Sequence, residues 1–196
     1  MSSNKTLQRR GGREAVSTMN LEVRNELAED VLAIETVIIA TFLHAPHTRH
    51  TEQHIVNALR ISGNLSVSLV AIVDGAVVGH VAVSPLSISD GAKGGYGLGP
   101  ISVAPELQGR GVGTTLINEA LRVLRKRGAS GCVLLGEPAY YSRFGFRAES
   151  GLVLPEVPRR NTSRHCCSFR PCRKVSSLTT RLSIRGVDNS LQRRRL

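Results

Sequence analysis

The sequence predicts a single α/β domain in which a mixed, mostly antiparallel sheet is flanked by helices. The turn dipeptide Asp74-Gly75 separates two strand-like runs at 65–73 and 77–88, which is the pattern of a β-hairpin. Later, an amphipathic helix separates a strand at 97–103 from the apolar run 132–135, as in a crossover between parallel strands. A hairpin followed by one β-α-β unit predicts a mixed sheet.

The remaining elements follow from local signals. Residues 20–24 alternate as a short first strand, and the apolar-rich stretch 31–42 follows acidic residues that favour a helix N-terminus. Residues 51–59 have helical spacing, with Thr51 as the candidate N-cap. We expect the crossover helix over 113–126, with its first turn beginning slightly earlier.

Length and composition suit one soluble domain. The chain has 196 residues, 41% of them hydrophobic, which is enough for one core. No apolar run approaches the roughly 18 residues of a membrane span, so we expect no membrane partner. Residues 1–18 have no apolar core of a secretory signal and are predicted to be a disordered leader.

The net charge of +11 is concentrated at one end of the chain. From residue 159 onward there are eleven Lys or Arg and one acid, a net of +10, whereas residues 1–158 carry +1. Residues 1–158 contain one cysteine, Cys132, which fits a reducing compartment. We therefore predict a cytoplasmic protein with a domain over 19–158 and a basic, atypical tail over 159–196.

A glycine-rich turn lies between the strand at 97–103 and the crossover helix. Its sequence is Gln108-Gly-Arg-Gly-Val-Gly113, and glycines let the amides of a helix N-terminus approach an anion such as pyrophosphate. No Lys follows Gly113, which disfavours a P-loop, and the alternating glycines disfavour a Rossmann fingerprint. A purely structural turn remains the alternative.

Two motifs carry a resemblance to a known family. Gln108, Gly111 and Gly113 meet the pattern Gln/Arg-x-x-Gly-x-Gly/Ala, and Tyr141 opens a Tyr-x-x-x-Gly-Phe element. In this respect the chain resembles the GNAT superfamily of acyl-CoA N-acyltransferases. The phrase PAYYSRFGFR is similar to a bacterial subgroup of predicted acetyltransferases, and the resemblance runs over 19–158.

The resemblance implies acetyl-CoA as co-substrate. It assigns the pyrophosphate to the turn and the pantetheine arm to a strand edge, the latter by β-augmentation. An amide of that edge would also polarise the thioester carbonyl. The implied cofactor-binding residues are Ile101, Ser102, Val103, Gln108, Gly109, Arg110, Gly111, Val112, Gly113 and Thr114.

The implied reaction is direct attack of a deprotonated amine on the thioester, in a ternary complex. Tyr141 matches the family tyrosine that donates a proton to the leaving sulfur; its alternative role is core packing. Tyr140 is expected to pack. Neither Glu52 nor Glu137 stands out as a general base, although either could lie near the substrate cleft.

Histidines in the body invite a metal interpretation that we do not favour. His44, His47, His50 and His54 are spaced by three and four residues, but Pro46 interrupts them and the implied reaction needs no metal. We therefore predict no metal site. His80 lies inside a strand and is expected to be a satisfied structural histidine.

The tail does not continue the resemblance. A GNAT chain supplies a final strand beside the fifth one, and we expect that strand to be missing or replaced. Degenerate codons permit a shifted frame from Arg159 that reads Pro-Glu-Tyr-Phe-Ser-Ala-Leu-Leu, so a frameshift is our hypothesis, tested by sequencing codons 155–165. Residues 176–184 alternate weakly and could substitute as a strand. A zinc site at His165, Cys166, Cys167 and Cys172 is disfavoured because no Cys-x-x-Cys pair is present.

Function follows from the resemblance. We expect an N-acetyltransferase for a small-molecule or protein amine, with a homodimer as a candidate assembly and nucleic acid bound only incidentally by the basic tail. The alternative is a catalytically impaired GNAT-fold binding protein whose tail contacts nucleic acid. The acceptor amine is not encoded in any motif, because substrate loops vary on a fixed cofactor site.

Overall fold

A computed structural model describes residues 19–43, 51–88, 93–148, 152–153, 165–169 and 180–184. The predicted leader and most of the tail lie outside these residues. The strands are β1 (Leu21–Asn25), β2 (Val67–Val73), β3 (Ala76–Ile88), β4 (Gly95–Val103), β5 (Gly131–Gly136), β6 (Arg147–Ala148), β7 (Leu152–Val153), β8 (His165–Phe169) and β9 (Thr180–Ile184). The helices are α1 (Val31–Phe42), α2 (Glu52–Ile61), α3 (Val112–Lys126) and α4 (Pro138–Tyr141).

The first half of the sheet is antiparallel, as predicted. β1 pairs with β2, β2 with β3 and β3 with β4. The β2–β3 turn contains Asp74 at φ 50° and Gly75 at φ 80°. Positive φ at both central residues is the geometry of a tight hairpin turn whose twist matches that of its strands. The hairpin inferred from Asp74-Gly75 is confirmed.

The crossover through α3 is also confirmed, because β4 and β5 are parallel. Their pairing is short: Gly95, Tyr96 and Gly97 face Gly131, Cys132 and Val133. Among the described strands, residues 98–103 of β4 pair only with β3. The two strands therefore separate towards their C-terminal ends, and this gap is called the splay below.

The position beyond β5 is filled from the segment after residue 159. β8 runs antiparallel to β5 over five residues and pairs on its other side with β6. The strand expected to be missing or replaced at this position is thus formed by His165–Phe169. The run 176–184, suggested as a substitute, contains β9, but β9 pairs with the end of β3 and with β7 rather than with β5.

Helices cover both faces of the sheet. Val70 and Ala82 pack with Ile34, Ile38 and Val56 of α1 and α2. Residues next to them on the same strands point the other way, towards α3. The core on that face includes Leu69, Ala71, Val81, Val83, Leu116, Ile117, Ala120 and Leu121. Alternation along the strands therefore gives two layers of apolar contact. None of the helices in the described ranges is long and apolar enough to cross a bilayer.

Candidate active site

The glycine-rich turn forms the N-terminus of α3. A short 3₁₀ turn follows β4, and then Gly109 and Gly111 adopt φ values of 74° and 90°. Gly111 is the N-cap of α3. A Cβ built on Gly111 would meet no atom within 4 Å, so the backbone angle, and not lack of space, requires glycine here. The open side of the turn is available to a ligand.

The first turn of α3 presents amides towards that open side. The first intrahelical hydrogen bond runs from the Thr115 amide to the Gly111 carbonyl at 3.0 Å. The amides of Val112, Gly113 and Thr114 precede it, so they have no intrahelical acceptor. The positive end of the helix dipole lies at the same place. This set of donors fits the oxygens of a pyrophosphate.

Gln108 has a different role from its neighbours in the turn. Its side-chain amide donates to the Val103 carbonyl at 3.0 Å, and the Thr41 hydroxyl lies 2.9 Å from the same oxygen. The contact ties the turn to the end of β4. In this structure Gln108 therefore positions the turn, whose exposed residues are 109–111, whereas Val112 is buried. The side chain of Arg110 is exposed beside them.

The splay presents the backbone of β4. The Ala104 amide donates to the Val78 carbonyl at 2.8 Å, which fixes the hydrogen-bonding phase between β3 and β4. By alternation, Ser102 exchanges backbone hydrogen bonds with His80. The amides of Ile101 and Val103 consequently point away from β3, into the splay. Of the three strand residues predicted to bind cofactor, Ile101 and Val103 turn their amides into the splay. Ser102 turns its amide towards β3, and its side chain is buried.

The two tyrosines after β5 occupy different environments. Tyr141 is partly buried and its ring packs near Phe144 and Phe146, with centroid distances of 6.3 and 6.1 Å. Tyr140 is more exposed, and its hydroxyl lies 3.8 Å from where a Cβ on Gly113 would stand. The motif identifies Tyr141, but the geometry brings the Tyr140 hydroxyl to the turn. Sequence reasoning missed this placement, since a motif does not indicate where a neighbouring hydroxyl points.

A series of hydrogen-bonded polar side chains lies on the face of the sheet that α2 covers, opposite to α3. Arg60 donates to Glu26 from Nε at 2.6 Å, and the Ser68 hydroxyl also donates to Glu26. Burial raises the pKa of Glu26, but the hydrogen bonds from Arg60 and Ser68 outweigh burial and hold this pKa below its usual value. Glu26 is therefore an ionised acceptor at neutral pH.

The hydrogen bonds among Glu26, Ser68 and His80 fix the tautomer of His80. The single proton of the Ser68 hydroxyl goes to Glu26, so Nε2 of His80 donates to Ser68 Oγ over 2.8 Å. Nδ1 is then an unprotonated acceptor, and it has no hydrogen-bond partner in the described part of the chain. His80 was expected to be satisfied; it is satisfied on one nitrogen. Burial lowers its pKa to about 4.

A family model identifies the architecture. The model described as "Acetyltransferase (GNAT) family" matches residues 15–146. The chain belongs to the GNAT acetyltransferase family. The match contains the turn, the splay and both tyrosines.

Similar proteins agree with the GNAT assignment. The chain is 34% identical over 125 residues to the uncharacterized N-acetyltransferase YhbS of Escherichia coli K12, covering 63% of this chain and 72% of YhbS. A GNAT-family acetyltransferase from Brucella melitensis, solved in complex with acetyl-CoA, has 38% identity and a TM-score of 0.69, covering 83% of this chain and 95% of its own. Crystalline YhbS in complex with CoA has 28% identity and a TM-score of 0.72, with coverage of 91% and 95%.

The other residues considered for the GNAT site are placed as follows. Glu137 is exposed and precedes α4, whereas Glu52 is partly buried in the first turn of α2. His54 is exposed on α2, and His44, His47 and His50 lie outside the described residues. Across the described ranges, no group of three His, Cys, Asp or Glu side chains is arranged to hold a metal ion. The comparisons give the binding-protein alternative no support.

Proposed function

We propose that this GNAT-family chain transfers the acetyl group of acetyl-CoA to an amine acceptor by direct attack in a ternary complex. The observation that carries the proposal is the set of first-turn amides of α3 beside the splayed edge of β4. Together they offer an anion site followed by an unpaired strand edge, and a pyrophosphate joined to an extended pantetheine arm needs both. The complexes of the Brucella melitensis protein with acetyl-CoA and of YhbS with CoA support the same assignment.

Each group has a distinct task. Gly109 to Thr114 bind the pyrophosphate through backbone amides, and Ile101 and Val103 pair with the pantetheine arm. An amide at this edge polarises the thioester carbonyl and stabilises the oxyanion of the transition state. Gln108 keeps the turn fixed to the strand through Val103. In these contacts the backbone of the turn and of β4 therefore binds the co-substrate, and the Gln108 side chain positions the turn.

The reaction needs a proton removed from the acceptor amine and a proton supplied to the leaving sulfur. The neutral amine attacks the thioester carbonyl, the C–N bond forms, the C–S bond breaks with its electron pair on sulfur, and the nitrogen gives up its extra proton to water. Tyr141 donates or shares a proton with that sulfur, and a phenol with a pKa of about 10 suits this task. The homodimer, the cytoplasmic location and the domain limits at 19 and 158 remain predictions.

Acetyl-CoA binding by calorimetry tests the proposal with a matched pair of variants. Gly111→Glu places a carboxylate at the proposed pyrophosphate position. Gly128→Glu makes the same change at the other end of α3, where φ is also positive, at 69°, and a Cβ has equally open space. We expect binding by the wild type and Gly128→Glu, and a loss of about 100-fold or more in Gly111→Glu because like charges repel.

Two results would overturn the proposed site. One is a folded wild-type chain that binds no acetyl-CoA, and the other is Gly111→Glu binding as well as Gly128→Glu. If binding follows the expected pattern, a panel of small amines and lysine peptides is screened by release of the CoA thiol. A chain that binds acetyl-CoA and acetylates none of them would favour a binding role over catalysis.

A further inference from the structure

A cation stands over the ring of Tyr140. The guanidinium carbon of Arg143 lies 4.0 Å from the centroid of that ring, and Arg143 Nε donates to the Tyr140 carbonyl at 2.9 Å. That hydrogen bond, the contact with Tyr140 and a longer one of 5.7 Å to the ring centroid of Phe144 hold the guanidinium in place. No carboxylate pairs with Arg143 within the described ranges, in contrast to Arg24, Arg60 and Arg122, each of which has an acidic partner.

The Tyr140 end of the Arg143–Tyr140 stack approaches the glycine-rich turn. Tyr140 belongs to α4, which follows β5, whereas Gly113 belongs to α3, which follows β4. The Tyr140 hydroxyl reaches to 3.8 Å from the Cβ position of Gly113. Tyr140, with Arg143 stacked on its ring, therefore lies next to the first turn of α3, whose amides have no intrahelical acceptor.

The two sides offer complementary donors. A guanidinium has five N–H donors in a planar fork that matches two phosphate oxygens, and one of these donors is already used. A phenol hydroxyl adds a single donor. Stacking limits the motion of the arginine, so little conformational entropy is lost when an anion binds. A phosphate group seated on the amides of α3 would have its remaining oxygens turned towards this opposite side.

We propose that Tyr140 and Arg143 form the second wall of the phosphate site and hold phosphate oxygens of acetyl-CoA from the α4 side. The inference rests on the proposed function and goes further by assigning affinity and specificity to two side chains. The shared chemistry is a phosphate dianion or diester, so the occupant is either the pyrophosphate or the 3′-phosphate of the co-substrate.

Calorimetry with defined ligands tests this wall. Acetyl-CoA and 3′-dephospho-CoA are titrated into the wild type, Arg143→Gln, Tyr140→Phe and the control Arg147→Gln. Arg147 is an exposed arginine on β6, so its substitution removes the same charge elsewhere. We expect Arg143→Gln to weaken acetyl-CoA binding by about tenfold to 100-fold, as for loss of a charge-assisted hydrogen bond. Tyr140→Phe should weaken it severalfold, and Arg147→Gln less than about twofold.

Titration with 3′-dephospho-CoA shows which phosphate group Arg143 binds. If the deficit of Arg143→Gln disappears with 3′-dephospho-CoA, Arg143 binds the 3′-phosphate; if it persists, Arg143 binds the pyrophosphate. Either result supports the wall. In turnover assays KM for acetyl-CoA should rise while kcat is kept, and Arg143→Lys, which keeps the charge but not the fork, should recover only part of the affinity.

The outcomes separate this inference from the proposed function. Equal affinities of Arg143→Gln, Arg147→Gln and the wild type would overturn the wall and leave acetyl-CoA binding intact. A folded wild-type chain that binds no acetyl-CoA would overturn both. Thermal melts of each variant show whether a loss of binding comes from loss of fold. If Arg143→Gln is unfolded, Arg143→Lys takes its place. Binding of both ligands by Arg143→Lys as tightly as by the wild type would also count against the wall.

Discussion

His80 links one buried ring to the pH dependence of stability. Its pKa is about 4 in the folded chain because burial disfavours the charged form, against about 6.5 when the chain is unfolded. Glu26 and Arg60 are charged groups near the ring: the carboxylate favours the imidazolium and the guanidinium opposes it. Between these two pKa values the unfolded chain binds more protons than the folded one.

We therefore expect acid to destabilise the fold before the carboxylates titrate. The full contribution of His80 is present above about pH 6.5, and it is lost as pH falls towards 4, amounting to roughly 3 kcal/mol. Urea unfolding at pH 7.5, 6.5, 5.5 and 5.0 measures the slope. His80→Gln should flatten the slope over this range, and an equal slope in both proteins would refute the assignment.

Tyr141 can be tested in two independent ways. Tyr141→Phe removes the proposed proton donor and should lower kcat by about 100-fold or more while leaving acetyl-CoA affinity unchanged. Gly136→Ala keeps the phenol but displaces it, because an added Cβ would overlap ring atoms of Tyr141. Gly136→Ala should therefore also lower kcat and leave acetyl-CoA affinity unchanged. Steady-state assays measure kcat, and calorimetry measures the affinity. Unchanged kcat in Tyr141→Phe would leave the tyrosine with a packing role.

At the scale of the element, β8 is the strand on which the second half of the sheet depends. Its residue Ser168 pairs with β5 on one side and with β6 on the other. Proline cannot donate to a strand ladder and is excluded from central strands.

Ser168→Pro should consequently lower the free energy of unfolding by about 3 kcal/mol or more. Ser168→Ala, which keeps the backbone donor, should cost about 1 kcal/mol. Urea denaturation of both variants measures the difference. Equal stability of the proline and alanine variants would mean that β8 is not part of the folded sheet in solution.

The elements that sequence alone predicted are those governed by local signals. The bounds of α1 follow from its apolar stretch, the hairpin from Asp74-Gly75, and the parallel pair from the crossover through α3. The position of β8 could not be predicted, since pairing with β5 spans some thirty residues and the tail has no strong alternation. Similarly, the motif selected Tyr141 over Tyr140, but only packing shows which hydroxyl approaches Gly113.

At the scale of the whole molecule, the site belongs to the separation of two strands rather than to any one element. α3 and α4 follow the two strands that separate, and the Tyr140 hydroxyl of α4 approaches Gly113 of α3. The backbone donors at Ile101 and Val103 stay available only because β5 diverges after three paired residues. A ligand that fills the splay joins the two halves of the sheet.

Ligand binding should therefore stabilise the entire fold. At a free acetyl-CoA concentration of 100 times Kd, we expect an increase of about 2.7 kcal/mol in the free energy of unfolding. Hydrogen exchange should slow at the amides of Ile101 and Val103 and in the first turn of α3. Urea melts and exchange measurements with and without acetyl-CoA check both effects, and stabilisation without protection at these amides would place the ligand elsewhere.

The insertion of β8 between β5 and β6 also has a consequence for synthesis. After Gly136, the 33 residues 137–169 complete β8, and at a translation rate of about 5–20 residues per second their synthesis takes roughly 2 to 7 s. During that interval residues 134–136 of the nascent chain have no neighbouring strand from the described sheet on either side. Unpaired strand edges invite association with other chains, so chains cut off before residue 165 should be less soluble than chains that include β8.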